Sequence, residues 1–352
     1  MLNIPKPNPG PLEPGQRKQL ILPILNKDGN LTRLFFIMMF VFILMGSISP
    51  STFLSLDSFI SMAYQFPVFG ILSIAMMITM VSGGIDLSIV SIANLTSILA
   101  AGIMVKFLPP DASLMTSILI IAGAVACSVI MGLLCGLVNG IAVSLIGIPP
   151  ILVTLGTMQL FMGIAIVITK GQAIVGLPML FSDIGNGSLG IIPFPLIMFI
   201  ICIILAYILL NKRAFGLKLQ LVGTNPVASK YSGISNSVVL LKTYAFSGLF
   251  ASIAGLLIIA STNSAKADFG TSYILQTILV AVMGGVNVKG GFGKISGVVM
   301  AVLTLQFLST GLNALHVGNF FKDFIWGIAL LLVMVINEVS NRIKEKKLVK
   351  QN

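Results

Sequence analysis

Asn211–Lys242 reads NKRAFGLKLQLVGTNPVASKYSGISNSVVLLK, the longest polar interruption in a chain that is otherwise almost continuous hydrocarbon. It carries Lys212, Arg213, Lys218, Lys230 and Lys242 and no acid. A short helix is written inside it with both ends marked. Asn225 can accept a bond from a free backbone N–H at the helix start. Pro226 follows at the first helical position, where its missing N–H costs nothing. Gly233 suits a left-handed stop. A delimited helix in a basic loop between membrane spans reads as a grip for another protein; a loop helix lying on anionic lipid is the plainer reading. Charge alone does not separate the two, since basic loops are expected on the cytoplasmic side in any case.

The whole chain of 352 residues, this loop included, is 57% hydrophobic and 9% charged, with a mean hydropathy of +1.06. Soluble domains are about a quarter charged. The long unbroken apolar runs point to an all-α, polytopic membrane bundle, not a barrel. Ten spans are predicted: 33–49, 65–82, 87–105, 114–146, 150–169, 195–210, 243–262, 273–288, 295–312 and 319–337. A semi-polar piece, Ser51–Tyr64, returns to the bilayer before the second. Residues 1–32, with Pro5, Pro7, Pro9, Pro11 and Pro14 and no apolar core, read as a cytoplasmic tail. Residues 338–352 read as a basic cytoplasmic tail. The membrane-embedded body is then 33–337, with its polar loop at 211–242.

Ten crossings place both termini on one side. With the N-terminus inside, 17 of the 21 Lys and Arg fall on inner segments, and only Lys106, Lys170, Lys266 and Lys322 fall outside. That asymmetry supports count and orientation together. It also accounts for the net charge of +11 as topology charge beside the membrane, which excludes nucleic-acid binding. Cys127, Cys135 and Cys202 lie in apolar runs and read as small buried hydrophobes, not a disulfide.

No catalytic engine is present. Gly290-Gly291-Phe292-Gly293-Lys294-Ile295 has neither the spacing nor the hydroxyl of a phosphate-binding loop. With one His and three Cys, metal and redox chemistry have little to work with. No catalytic, cofactor-binding or metal-binding residue is expected.

Of the ten acids only Asp86 sits clearly within the apolar region, in Ser82-Gly83-Gly84-Ile85-Asp86-Leu87-Ser88. One reading makes it the N-cap of the third span, accepting from the N–H near Ile89 after a glycine break. The other has the broken helix lining a polar pathway. Asn139, Thr154 and Thr157 are the further pathway candidates, and Gln159 adds to the polarity of the fifth span. Helix-to-helix hydrogen bonding explains them equally well. Gly132, Gly136 and Gly140 form a stripe that lets another helix approach closely, read as packing within the bundle. Two outer segments, 171–194 and 263–270, could touch a partner or solute. Ser82–Asp86 is echoed by Met283-Gly284-Gly285-Val286-Asn287, too briefly to assert a repeat. His316 reads as an exposed loop residue, and Trp326 as lipid-facing or core.

Five motifs occur in a telling order: SGGIDLS at 82–88, GLVNG at 136–140, IPPILVTLGTM at 148–158, GTNPVASKYSGI at 223–234 in the stretch that opens at Arg213, and MGGVNVKGGFGKISG at 283–297. Together they resemble the ribose-type ABC transporter permeases over nearly everything from the first span to the tenth. PMLFSDIGNGSLGIIPFPLIMF and NSAKADFG are most similar to the autoinducer-2 importer subunits, ahead of those for ribose, rhamnose and other monosaccharides.

The resemblance implies a permease subunit of an ATP-binding cassette importer in the bacterial inner membrane, multi-pass and without ATPase activity of its own. It implies no cofactor, ATP being bound by partner subunits. The implied partners are two cytoplasmic ATPase subunits, a second permease in a homo- or heterodimer, an extracytoplasmic solute-binding protein and the membrane lipid. The loop helix then corresponds to the coupling helix, with Asn225, Pro226, Ala228, Tyr231 and Gly233 docking to the ATPase. Two positions depart from the family pattern: Val90, where glycine is frequent, and Pro226-Val227, where many relatives have an acid and Ala. An ion-coupled secondary carrier is the alternative, although one intramembrane acid is thin support for a proton relay.

Overall fold

The computed structural model describes residues 29–109 and 111–349. Of the tail expected at 1–32, residues 1–28 lie outside the described residues, and 29–32 already belong to the first helix. Helices dominate: α1 (Gly29–Ile48), α2 (Pro50–Phe53), α3 (Leu56–Val81), α4 (Ile89–Phe107), α5 (Leu114–Ile141), α6 (Pro150–Thr169), α7 (Met179–Asn186), α8 (Phe194–Tyr207), α9 (Ala214–Thr224), α10 (Pro226–Tyr231), α11 (Asn236–Thr262), α12 (Tyr273–Met283), α13 (Ile295–Ala314) and α14 (Asn319–Val349). A π-helical turn extends α5 through Ile146 and another extends α8 through Lys212. The only β-structure among the described residues is two short antiparallel ribbons, β1 (Ile174–Val175) with β4 (Ser264–Ala265), and β2 (Ser188–Leu189) with β3 (Ile192–Pro193).

Eight of the described helices are long and apolar enough to cross a membrane. The centre of the bundle is α3, α4 and α11, while α1, α5, α6 and α8 turn much of their surface outward. Those outward faces carry Phe36, Leu119, Leu152 and Val167, as lipid contact requires. Cys135 and Cys202 are buried, whereas Cys127 is exposed on this outer surface. The expectation that all three are buried fails there, because an apolar run in a membrane helix has a lipid face as well as a core face.

Four sequence boundaries are corrected. Ser51–Tyr64 is no single piece: Ser51–Phe53 belong to α2, and from Leu56 the chain is already α3, which Ser55 caps by accepting from the Ser58 N–H. The polar loop holds two helices, not one, since α9 precedes α10, and α11 begins at Asn236 instead of Thr243. The eighth span stops at Met283, not Val288. The last helix continues to Val349 instead of ending at 337.

At 11 residues, about 16 Å, α12 cannot span the bilayer alone. The chain leaves α11 at Thr262 and descends through a non-helical segment before α12 starts. Asn94 of α4 pins that descent by donating its side-chain amide to the carbonyls of Ala267 and Phe269, both at 2.9 Å. Irregular backbone at membrane depth persists only where protein or polar space satisfies it.

The glycine stripe on α5 does what packing requires. A Cβ on Gly132 would lie 2.5 Å from the Gly248 carbonyl oxygen, and one on Gly136 would lie 2.1 Å from that of Tyr244. Gly140 faces Leu241 in the same seam. The two backbones of α5 and α11 therefore touch along three turns.

Candidate functional site

The short helix of the polar loop is built as its residues dictate. Asn225 Oδ1 accepts from the N–H groups of Val227 and Ala228, both at 3.0 Å, satisfying two of the free donors of α10. Gly233 has φ +78°, and the Ile234 N–H returns to the Ser229 carbonyl at 3.1 Å, closing the helix. Ser229 Oγ donates to Asn236 Oδ1, and Asn236 Nδ2 donates to the Pro226 carbonyl, so α10 is clamped to the first residue of α11. Outward it presents Val227 and Tyr231, the latter 90% exposed. An apolar, aromatic face held this rigidly at the protein surface is suited to a protein partner.

Immediately before Asn225, α9 ends against two other chain segments. A Cβ on Gly223 would stand 2.0 Å from the Val81 carbonyl oxygen and 2.5 Å from the Gly291 nitrogen. A Cβ on Gly290 would stand 2.7 Å from the Gly83 nitrogen and 2.8 Å from the Gly223 carbonyl oxygen. Three backbones converge here: the ends of α3 and α9 and the loop after α12. The glycine-rich 290–293 turn thus serves backbone contact, consistent with its failing the phosphate-loop pattern.

The sequence echo is real in local geometry but slipped by one residue. Two residues past α3, Gly83 has φ +87° and the Gly84 N–H bonds to the Thr79 carbonyl, whereas two residues past α12, Gly285 has φ +81° and the Val286 N–H bonds to the Ala281 carbonyl. Both are left-handed glycine stops. Each is followed by an Asx turn: Asp86 Oδ1 accepts from the Ser88 N–H, and Asn287 Oδ1 accepts from the Lys289 N–H, both at 3.0 Å.

Asp86 is not the cap of α4, which begins at Ile89 after Ser88. Its expected bond near Ile89 goes to Ser88 instead. Asp86 Oδ1 accepts from Ser88 Oγ at 2.6 Å, and Oδ2 accepts from Ser247 Oγ at 2.8 Å. Asn139 Nδ2 donates to Ser88 Oγ at 2.8 Å, and Thr154 Oγ1 donates to the Ile85 carbonyl at 3.0 Å. Asp86, Asn139 and Thr154 are all fully buried, and Thr157 is half-buried one turn along α6. Three of the four pathway candidates are thus gathered, but into a closed polar knot. Asn139 Oδ1 and the Tyr244 hydroxyl, also buried, have no hydrogen-bond partner among the described residues.

Open space lies elsewhere. A cavity of about 500 Å³ occupies the half of the bundle away from α10, lined by Gln65, Tyr273, Gln276, Gln306, Lys322 and Trp326 among others. None of the four pathway candidates lines it. The signal available in the sequence was glutamine within apolar runs, each an amide that hydrocarbon cannot satisfy. Trp326, expected in lipid or core, is buried at this cavity. His316 is exposed, as expected.

Residues 58–334 match the family described as branched-chain amino acid transport system / permease component. Among curated relatives, the autoinducer 2 import system permease protein LsrD of Yersinia enterocolitica is 32% identical, covering 83% of this chain and 87% of its own. Its counterpart in Yersinia pseudotuberculosis is 30% identical, covering 85% and 88%. No solved structure shows a significant match. With the glycine-broken helices, the capped loop helix and the family match in agreement, the chain belongs to this family of ABC importer permeases.

Proposed function

We propose that this chain is the membrane-embedded permease of an importer for a sugar-like solute, with autoinducer-2 the foremost candidate and monosaccharides such as ribose and rhamnose next. The names of the relatives support the solute. The observation that carries the coupling role is α10: doubly capped, clamped to α11, exposing Val227 and Tyr231, and preceded directly by the three-backbone junction at Gly223. In this reading α10 lies on the cytoplasmic face, and both termini lie there with it. Asn225, Pro226, Ala228, Tyr231 and Gly233 form the docking element for a partner ATPase. ATPase closure pushes on α9 and α10, and the junction passes that displacement to the ends of α3 and α12. The knot of Asp86, Asn139 and Thr154, with Thr157 beside it, then opens or shifts as the helices rock. Hydrolysis of ATP belongs to the partner, and a binding protein delivers solute to the opposite face.

The test is ATP-driven uptake by the chain reconstituted with its ATPase, a second permease copy or companion, and a binding protein. Autoinducer-2 and ribose are the solutes to compare. Uptake should need all the protein components and survive an uncoupler. Uptake by the chain alone, abolished by an uncoupler, overturns the reading in favour of an ion-coupled carrier.

A further inference from the structure

We propose that the cavity between α3, α11, α12, α13 and α14 is a solute-binding site of the permease itself, shaped for a neutral, hydroxyl-rich molecule of monosaccharide size. This rests on the import reading and adds to it: the chain selects solute as well as conducting it.

The cavity follows from the fold. Because α12 starts only after a descending loop, the space above its first turn is left unfilled by helix. The loop supplies Phe269 and α12 supplies Tyr273 and Gln276 to the lining, while α3 gives Gln65, α13 gives Gln306 and α14 gives Trp326. Its volume of about 500 Å³ falls in the range of small-molecule pockets.

The chemistry of the lining is selective. Three side-chain amides converge from three helices, and each offers two donors and a two-lone-pair acceptor. Hydroxyl and carbonyl groups need that mixture. Gln306, 2% exposed, already donates to Thr310 Oγ1 at 3.0 Å and to Gln65 Oε1 at 3.4 Å, so two amides are held in register before solute arrives. Tyr273 and Trp326 add flat apolar faces with polar edges, as the C–H face and hydroxyl rim of a sugar ring require. Lys322, whose ammonium donates to Asn313, sits beside Asp323, so the lining carries both signs and favours no ion. Five helices contribute, α11 adding Ile258, Ser261 and Thr262, so a rocking motion that displaces α3 and α12 at one end necessarily changes the site at the other.

The experiment is alkylation of a cysteine placed in the lining. Ser309→Cys on the full-length chain in detergent micelles is treated with a polar maleimide, with the parent chain supplying the background from its three native cysteines. The probes are D-ribose and synthetic autoinducer-2, with valine as control. The expected result is labelling that is slowed by either sugar-like probe and unaffected by valine. Adding Gln276→Ala should raise the protecting concentration about tenfold, the loss of roughly one hydrogen bond to a partner. Labelling that neither probe slows, slowing by valine alike, or no labelling of Ser309→Cys at all, each overturns the proposal. The two readings separate cleanly. Import without protection defeats the cavity site and leaves the importer standing; protection without ATP-driven import does the reverse.

Discussion

The Gly291 amide donates to the Val81 carbonyl at 2.8 Å, joining the loop after α12 to the last residue of α3. Val81 is the end of a helix whose C-terminal carbonyls have no helical partner. The bond therefore satisfies a group that would otherwise be buried unpaired, and it fixes two broken helices to one another. Gly223 closes over the same carbonyl at a distance no side chain tolerates. Gly223→Ala should force the backbones apart and lower stability by about 1–3 kcal/mol, the usual cost of overpacking. Thermal unfolding of the purified chain checks it; an unchanged midpoint with full transport refutes the junction.

The seam between α5 and α11 makes a sharper comparison. Gly136 and Gly156 are both mid-helix glycines, yet a Cβ on the first meets the Tyr244 carbonyl at 2.1 Å while one on the second meets nothing within 4 Å. Gly136→Ala should cost about 1–3 kcal/mol. Gly156→Ala should be neutral or slightly stabilising, because alanine is the better helix former by about 1 kcal/mol. Equal effects at the two sites, measured by thermal unfolding, contradict the packing described.

Much of this was legible in the sequence because the deciding interactions are local. Asn225, Pro226 and Gly233 delimit α10 through bonds that reach only a few residues along the chain. The long apolar runs located most spans for the same reason. Other features escaped because they depend on distant partners. Gln65, Gln276 and Gln306 lie on three different helices, and Gln65 coincided with an expected span boundary, where a polar residue attracts no notice. The descent before α12 was hidden because its anchor, Asn94, belongs to a helix far back in the chain. Asp86 was recognised as a helix-break residue, but its second oxygen is satisfied by Ser247, which nothing nearby in sequence announces.

The knot around Asp86 predicts opposite outcomes for neighbouring substitutions. Asp86→Ala leaves the Ser88 N–H and two hydroxyls without their acceptor, costing about 1–3 kcal/mol for each group left unsatisfied. Asp86→Asn keeps one acceptor oxygen and should cost less. Tyr244→Phe removes a buried hydroxyl that has no partner among the described residues, so it should be neutral or stabilising. Thermal unfolding of the three variants decides it, and a Tyr244→Phe protein clearly less stable than the parent places an unrecognised bond at that hydroxyl.

Asn225→Ala removes two charge-neutral cap bonds and should weaken α10 by about 1 kcal/mol. The bundle itself does not depend on those bonds, so insertion and the unfolding midpoint should barely move. Association with the ATPase should fall severalfold, and Asn225→Asp, which retains the cap acceptor, should restore most of it. Co-purification yield of the ATPase with each variant is the readout. Loss of association without rescue by Asp means that the Asn225 side chain contacts the partner directly.

Asn94 tests whether the descending segment and the cavity are one device. Its amide holds the Ala267 and Phe269 carbonyls, so Asn94→Ala leaves both to find other partners at membrane depth, where none is supplied by lipid. Asn94→Asp replaces the donor by acceptor oxygens and repels the same carbonyls, so it should be worse than Ala. In both variants the chain between α11 and α12 loosens and the N-terminal turn of α12 moves with it. The prediction is that solute affinity falls while ATPase association at α10 is unchanged, because the two sites lie at opposite ends of the bundle. A rise in the KM of uptake with normal ATPase co-purification supports this separation; loss of ATPase binding in Asn94→Ala shows instead that the segment supports the fold as a whole.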